Sequence, residues 1–543
     1  MDLMVTAQAW LDQDPDPETR SELQELISNN ELAALAARFS SRLEFGTAGL
    51  RGELGAGPNR MNRVLVAQTA LAIANFLKQH RIDYLDSAGS LSVVIGFDGR
   101  VNSDVFALDS AKIIAGAGIN VSLFDSPVPT PVAAFTGRKM RSSATIVVTA
   151  SHNPPKDNGY KVFLGGANGG SQLVPPQDSE IAGQIDRVAA NLKFSEIPQS
   201  NDFEIIGRPE IEAYVTRAAE LIPIEDSKRK DLSITYTAMH GVGYRVVKDL
   251  LDLAGFKFQS VKKQQEPDGS FPTVAFPNPE EKGAMDLSFE TASEFESDLI
   301  LANDPDADRL AVGIKSASGD RMLTGDEVGL ILADRMATLG KATVIANSLV
   351  SLDMSPLAKH YDLKYQQTLT GFKWISRVPN LSYGYEEALG YCVDPEFTPD
   401  KDGITAALMI ADLASELKAA GSNLGEYLVE LAGRFGHQKT GQVSIRVTDL
   451  EIIKKIMVAV RHSPPTDLIG EACEVEDLAL GVNFPATDGV ILKSENARVV
   501  IRPSGTEPKL KCYLQYTGPS ELLAQEKLTE LSTWASELLK KLS

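Results

Sequence analysis

The chain is poor in cysteine, in basic charge and in long apolar runs. Only Cys392, Cys473 and Cys512 occur in 543 residues. They stand too far apart for a close-spaced zinc or redox motif, so free thiols in a reducing compartment are expected. No stretch approaches the roughly 20 consecutive apolar residues that span a bilayer. Lys and Arg number 53 against 73 Asp and Glu, a formal net charge of −20. Such a balance repels nucleic-acid phosphate and anionic lipid, so neither nucleic acid nor membrane is an expected partner. Five acidic residues, Asp2, Asp12, Asp14, Asp16 and Glu18, precede the first basic residue, Arg20. A secretory leader begins the opposite way, and a cytoplasmic location is expected. The Gly-x-x-x-x-Gly-Lys-Ser/Thr phosphate loop is missing, which removes support for a nucleotide-driven kinase of that class. Gly241-Val-Gly-Tyr-Arg-Val follows a strand-like run and precedes a helical pattern. Valine there replaces the third glycine of the dinucleotide fingerprint, which argues against an oxidoreductase.

What is present is the composition of a multidomain globular protein, 43% hydrophobic and 23% charged. At roughly 150 residues per domain, three to four domains are expected. Residues 1–40 read as a helical appendage: Leu23, Leu26 and Ile27, then Leu32, Leu35 and Phe39, recur at helical spacing, with Asn30 as a cap between them. Beyond it, apolar runs recur at Leu91 to Phe97, Ala144 to Val148, Leu232 to Tyr236, Asp298 to Ala302 and Ala342 to Ala346. Each is expected to lead through a polar loop into a helix, the rhythm of parallel α/β sheets. Polar stretches suggest four domains at 41–205, 206–318, 319–437 and 438–543. The last reads as α+β from Val443 to Val447, Gly489 to Leu492 and Ala497 to Ile501.

In such sheets reactive groups gather just past the C-terminal strand ends. Thr149-Ala-Ser-His-Asn-Pro-Pro155 and Lys156-Asp-Asn-Gly-Tyr-Lys161 follow one run. Ser151 is there a candidate nucleophile, with His152 and Lys161 near enough for proton transfer or charge neutralisation; a turn in which Ser151 only bonds backbone is the plainer alternative. Asp304-Pro-Asp-Ala-Asp308-Arg309 follows another run. In an extended segment Asp304, Asp306 and Asp308 point to one side. Three such carboxylates repel one another without a cation and suit Mg²⁺ or Ca²⁺, although a solvated acidic turn has the same composition. The calcium-loop template fails, with Arg309 at its glycine and Lys315 at its final glutamate.

Arg502-Pro-Ser-Gly-Thr506 combines a guanidinium, two hydroxyls and a close-approaching glycine, a phosphate cradle or else a plain hairpin turn. Phe45-Gly-Thr-Ala-Gly-Leu-Arg51 likewise joins permissive glycines to a forked cation. Thr370-Gly-Phe-Lys-Trp374 and Gly384-Tyr-Glu-Glu-Ala-Leu-Gly-Tyr391 are candidate substrate loops through Lys373 and Glu386. A carboxylate matches vicinal sugar hydroxyls; as readily, Glu386 and Glu387 favour a helix N-terminus.

In this order the loops resemble the α-D-phosphohexomutase superfamily of phosphoglucomutases and phosphomannomutases, over roughly Leu43 to Tyr513. The resemblance implies an α/β fold of four domains around a central cleft, three mixed-sheet α/β/α domains of one topology and an α+β C-terminal domain. It implies a phosphosugar mutase, an intramolecular phosphotransferase, that interconverts glucose or mannose 1- and 6-phosphates through a phosphoserine and a bisphosphorylated sugar. Ser151 would carry the phosphate, and Mg²⁺ would sit among Ser151, Asp304, Asp306 and Asp308. Arg51, His152, Lys161 and Arg309 would surround the transferring group, with Lys161 as general base. Lys373 and Glu386 would contact sugar, and Arg502, Ser504, Gly505 and Thr506 would hold the other phosphate. An activating bisphosphate such as glucose 1,6-bisphosphate, and a monomer or weak homodimer, are also expected. Two departures stand out: Ala388 replaces the serine usual in the sugar loop, and Asp304-Pro-Asp-Ala-Asp308 replaces a commoner glycine-containing form. With Thr273-Val-Ala-Phe-Pro-Asn-Pro-Glu-Glu281 and Lys401-Asp-Gly-Ile404, they resemble the phosphoglucomutase-2-like subgroup. That subgroup adds phosphopentomutase and hexose-1,6-bisphosphate synthase as alternatives; a non-catalytic sugar-phosphate sensor is the alternative of another class.

Overall fold

Three helices open the chain, Leu3–Leu11, Pro17–Ser28 and Leu32–Phe39. The computed structural model describes residues 2–46, 48–223, 229, 231–315, 319–447, 449–504 and 509–542. Asp2 and Asp16 start the first two helices by accepting from the amides of Met4 and Glu18 at 3.0 and 2.9 Å. Asn30 takes φ +54° just past the second helix, the left-handed turn with which asparagine ends helices. Trp10, Leu11, Leu23, Leu26 and Leu35 pack with Ala56 and Val64, so the appendage shares a core with the residues that follow it.

The first sheet runs Leu50–Glu53, Asp157–Leu164, Ala144–Val148, Ser92–Phe97, Asn120–Phe124, Glu204–Ile206, with Ser171–Gln172 beside Asp157–Leu164. The second runs Arg321–Met322, Ala311–Ile314, Leu299–Ala302, Ser233–Thr237, Lys257–Ser260. Both share one arrangement: three parallel strands, joined in the first sheet by a fourth, Glu204–Ile206, and an antiparallel partner on the outer side of Ala144–Val148 or Leu299–Ala302. All five residues of Ala144–Val148 and all four of Leu299–Ala302 are buried, as expected for strands covered on both faces.

One expectation is corrected here. Neither Ala144–Val148 nor Leu299–Ala302 leads into a helix. Each turns back into an antiparallel strand, Asp157–Leu164 and Ala311–Ile314. The serine and aspartate loops are therefore the tips of two equivalent hairpins. Gly159 makes the first one possible: a Cβ there would lie 2.5 Å from the Thr149 carbonyl oxygen.

By packing, the chain forms two compact units, Met1–Leu323 with Leu381–Gly384 and Ala388–Gly421, and Thr324–Asn380 with Tyr385–Glu387 and Ser422–Ser543. The first holds both sheets above. In the second, Val344–Ser348 pairs in parallel with Lys364–Thr368. An antiparallel sheet follows in the order His437–Arg446, Lys509–Gly518, Ala497–Pro503, Val490–Lys493, Glu474–Asp477, with the helices Leu450–His462 and Glu521–Leu542 contributing to its core. Within this unit Leu349, Val350 and Leu369 share an apolar cluster with Leu478, Ile491, Val500 and Tyr513.

Asp334, with no exposed surface, ties two helices of the second unit together. It accepts from Arg434 at 3.0 and 3.2 Å, from the Tyr361 hydroxyl at 2.8 Å and from the Tyr427 hydroxyl. Asp334→Ala leaves a guanidinium and two hydroxyls without their acceptor, and is expected to destabilise this unit by about 3 kcal/mol or more. Calorimetric or chemical unfolding of the variant checks this; a loss below about 1 kcal/mol contradicts the network's role.

Candidate active site

In the first unit the two hairpin tips meet. Ser151 Oγ donates to Asp304 Oδ2 at 2.9 Å and lies 3.1 Å from His152 Nδ1. Ser151 has φ +53°, a left-handed conformation unusual for a side-chain-bearing residue. Its amide is held by Thr149 Oγ1 at 2.9 Å.

Asp304, Asp306 and Asp308 have no exposed surface, and each offers a carboxylate oxygen within 4.8 Å of the others. An extended segment was expected to align them. A turn does so instead, with Ala307 at φ +57° and its amide bonded to the Asp304 carbonyl at 2.9 Å. The Arg309 amide donates to Asp304 Oδ1 at 3.0 Å. Lys161 Nζ bridges Asp306 and Asp308 at 2.6 and 2.7 Å, Lys401 Nζ lies 3.1 Å from Asp308, and Thr130 Oγ1 donates to Asp306 at 2.6 Å. Among the described residues, Asp306 Oδ1 and Asp308 Oδ1 are buried without a hydrogen-bond partner. Clustered hard oxygens, two of them unsatisfied, fit a divalent cation such as Mg²⁺.

The charges perturb one another strongly. Burial, then the neighbouring Asp306 and Asp308, push Asp304 up to about 8. Burial also works against ionisation of Asp308, but Lys161, Lys401 and Arg309 outweigh it and hold that carboxyl well below the usual range. His152 is held well below its ordinary value by burial and by Arg309 and Arg51, and so is neutral. For Lys161, burial opposes the charge while Asp306 and Asp308 favour it, and the carboxylates win. Arg51 is lowered by burial, offset in part by the same aspartates.

Two residues near this centre had been given no role. Arg100 donates to the carbonyls of Ser151, Asn153, Pro154 and Asp157. Its signal is faint: Asp98-Gly-Arg100 is a polar loop at a strand's C-terminal end. Lys401, beside Asp308, lies just before the helix Gly403–Ala419, which Asp402 caps by accepting from the amides of Ile404 and Thr405 at 3.0 Å.

In the second unit Glu386 is 8% exposed and ends the strand Tyr383–Glu386. A turn and the strand Gly390–Cys392 follow, so the helix N-terminus considered for Glu386 and Glu387 is not there. Glu387 accepts from Ser351 Oγ at 2.8 Å. Lys373 sits on the short helix Phe372–Ile375. Arg502 lies on the strand Ala497–Pro503, and the Ser504 amide donates to the Lys509 carbonyl at 2.8 Å. Gly505 and Thr506 lie outside the described residues.

Four successive segments match the Phosphoglucomutase/phosphomannomutase families: alpha/beta/alpha domain I at residues 42–191, domain II at 212–317, domain III at 324–435 and the C-terminal domain at 446–530. The chain is 44% identical over 490 residues to a Haemophilus influenzae protein named "Probable phosphomannomutase", covering 88% of this chain and 98% of that one. It is 33% identical to the phosphoribomutase of Saccharomyces cerevisiae, over 95% and 92% of the two chains. Among solved structures, the parafusin phosphoglucomutase of Paramecium superposes with a TM-score of 0.72 at 17% identity, over 92% and 95%. The fold and these matches define a four-domain phosphosugar mutase, an isomerase acting as an intramolecular phosphotransferase. The chain belongs to the phosphoglucomutase/phosphomannomutase family of the α-D-phosphohexomutase superfamily.

The buried carboxyl of Glu387 supplies a test outside the metal cluster. Burial, then Glu386 and Asp326, raise it to about 7 from an ordinary 4.5. A raised folded-state value stabilises fully below the unfolded one, and that contribution is lost as pH climbs from about 4.5 through about 7. Glu387→Gln, which needs no proton to stay neutral, is therefore expected to raise the unfolding temperature at pH 8 and to change it much less at pH 5. Equal shifts at both values contradict the assignment.

Proposed function

We propose that the protein interconverts hexose 1- and 6-phosphates, glucose and mannose phosphates foremost, with Ser151 as the phosphoryl carrier. The observation that carries this reading is the Ser151 hydroxyl 2.9 Å from Asp304, within a buried aspartate cluster ringed by Arg51, Lys161, Arg309 and Lys401.

Phosphorylated Ser151 passes its phosphoryl to the free hydroxyl of a bound sugar phosphate. The P–Oγ bond breaks, a sugar O–P bond forms, and the hydroxyl proton passes by way of a base to the freed Ser151 Oγ. The resulting bisphosphate turns end for end, its other sugar O–P bond breaks as Ser151 Oγ takes that phosphoryl, and the serine proton returns to the sugar oxygen set free. A nucleotide is unnecessary because the phosphoryl never leaves the enzyme–sugar pair; a sugar bisphosphate primes the serine. Cations around the transferring group do most of the work in such a reaction, by offsetting its negative charge. Mg²⁺, held by Asp304, Asp306, Asp308 and an oxygen on Ser151, would supply the same neutralisation at a phosphoryl oxygen. Lys161 is a cation while Asp306 and Asp308 hold it, and in that state it neutralises rather than takes protons. With those carboxylates engaged elsewhere, burial would favour the neutral amine that a general base requires. His152, neutral beside Ser151 Oγ, keeps from adding another charge to the site.

In the second unit Glu386 would accept sugar hydroxyls with Lys373 nearby in the chain, and Arg502 and Ser504, with Gly505 and Thr506, would hold the phosphate not in transit. The name of the 44%-identical relative favours a hexose. A pentose phosphate is the second reading, favoured by the phosphoribomutase relative and by Ala388, which offers no hydroxyl where the common sugar loop has one.

Ser151→Ala is expected to stay folded and to lose mutase turnover by at least about 1,000-fold. Peptide mass analysis of the wild type should place phosphate on Ser151. Retained turnover removes Ser151 from its role. Comparison of kcat/KM for glucose, mannose and ribose 1-phosphates decides the sugar, and a ribose preference overturns the hexose reading. Ala388→Ser is expected to shift the ratio several-fold towards hexoses, the size of one net hydrogen bond of about 0.5–1.5 kcal/mol.

A further inference from the structure

Arg100 belongs to no part of the reaction described so far, yet both terminal nitrogens of its guanidinium are committed to the serine loop. Nη2 donates to the Ser151 carbonyl at 2.6 Å and to the Asn153 carbonyl at 2.7 Å; Nη1 donates to the carbonyls of Pro154 and Asp157 at 2.9 and 3.0 Å. These four acceptors span the whole turn from the end of one hairpin strand to the start of the next. Arg100 is 4% exposed, its Nε lies 3.4 Å from Asp98 Oδ2, and its guanidinium carbon sits 4.9 Å from the centre of the Phe271 ring. Asp98 is itself fixed by Ser103 Oγ at 2.6 Å and by the Arg100 amide at 3.0 Å. Phe271 is held in a left-handed conformation, φ +46°, within a segment that presses on residues 99–101: a Cβ on Gly99 would lie 2.7 Å from Pro267 Cβ, and one on Gly269 would lie 2.8 Å from the Val101 amide nitrogen.

A tight turn leaves carbonyls that no strand partner satisfies. One planar fork with donors on two nitrogens can collect four of them at fixed angles, which an ammonium on a flexible stem cannot do. The Ser151 φ of +53° is therefore held from both sides, by Thr149 on the amide and by Arg100 on the carbonyl. A strained backbone of this kind persists only where its surroundings over-determine it.

We propose that Arg100, covered by Phe271, is a positioning residue for phosphoryl transfer. It locks the backbone of the serine loop so that Oγ is presented to Asp304, and it acts through Ser151 without contacting the substrate. The proposal rests on Ser151 being the phosphoryl carrier. Its signature is a loss in kcat at nearly constant KM, because sugar recognition lies elsewhere while misplacement of a reacting atom by about 1 Å costs on the order of 100-fold in rate.

The test compares Arg100→Lys with Arg63→Lys in the full-length protein. Arg63 forms a two-pronged pair with Asp109 at 2.7 and 2.9 Å away from the serine loop, so its variant reports what losing a structural guanidinium does. Arg100→Lys is expected to lower kcat about 100-fold with KM within about threefold, and to slow phosphorylation of Ser151 by added glucose 1,6-bisphosphate. Arg63→Lys should lower the unfolding temperature while leaving kcat intact. Phe271→Leu, which leaves every hydrogen bond to the loop in place, should show the same kcat-selective loss at about fivefold. Wild-type kcat in folded Arg100→Lys overturns the proposal, as does a kcat loss that both arginine variants share. If Arg100→Lys does not fold, full kcat in Phe271→Leu overturns it. Ser151→Ala in the same assay separates the two claims: activity there defeats the phosphoserine reading, whereas an inactive Ser151→Ala beside a fully active Arg100→Lys defeats only the positioning role.

Discussion

Three carboxylates with no exposed surface are set within 4.8 Å of one another at Asp304, Asp306 and Asp308. At that separation, with an effective dielectric near 20, each like-charged pair costs about 3–4 kcal/mol. The rest of the first unit's centre can be understood as the answer to that repulsion. Lys161 bridges Asp306 and Asp308, Lys401 adds a second cation at Asp308, and Arg309 sends its amide and its guanidinium towards Asp304. What stays unanswered, the two oxygens of Asp306 and Asp308 without a partner among the described residues, is where a divalent cation is called for.

Net charge misleads about such a place. The chain carries −20 overall, yet its proposed reaction centre collects Arg51, Arg100, Lys161, Arg309 and Lys401. They come from five separated stretches of sequence, Arg51 and Lys161 from within strands, and converge only in the folded first unit. The excess acid lies elsewhere, where water and salt screen it. Composition alone argues against polyanionic partners while saying nothing against a small phosphorylated one.

The uneven readability of the sequence has a physical cause. Ala144 to Val148 and the run up to Ala302 announce themselves because strands covered on both faces are apolar throughout. The antiparallel partner of the first, Asp157–Leu164, does not: it begins Asp-Asn-Gly-Tyr-Lys, and its Asn158 and Lys161 are buried polar side chains just past the serine loop. A strand that supplies Lys161 to the centre therefore reads as loop. The aspartate spacing pointed to a cluster, but its basis differs, since a turn through Ala307 and not strand alternation brings the carboxylates together. The sequence assigns no role to Arg100 or Lys401 for a plainer reason: their partners in the centre lie more than 50 residues away in the chain, beyond the reach of any local pattern.

Repetition of the fold explains why Ser151 and the three carboxylates meet. In both sheets the loop follows the parallel strand at one end of the parallel set and turns into an antiparallel neighbour. The same chain position in two copies of one topology thus yields a serine in one and an acid cluster in the other. A hairpin tip suits both tasks for one reason, because it leaves carbonyls and side chains unpaired by the sheet and available to whatever is brought against them. At Ser151 the free carbonyls are taken by Arg100, which leaves the hydroxyl as the one polar group of that residue directed to Asp304. At Asp304 the side-chain oxygens are taken by Ser151 and the Arg309 amide, which directs the remaining oxygens of Asp306 and Asp308 to a cation. At each tip most surplus groups are bonded, which fixes where the remaining charged atoms stand, and such fixed charge placement is what a phosphoryl transfer requires.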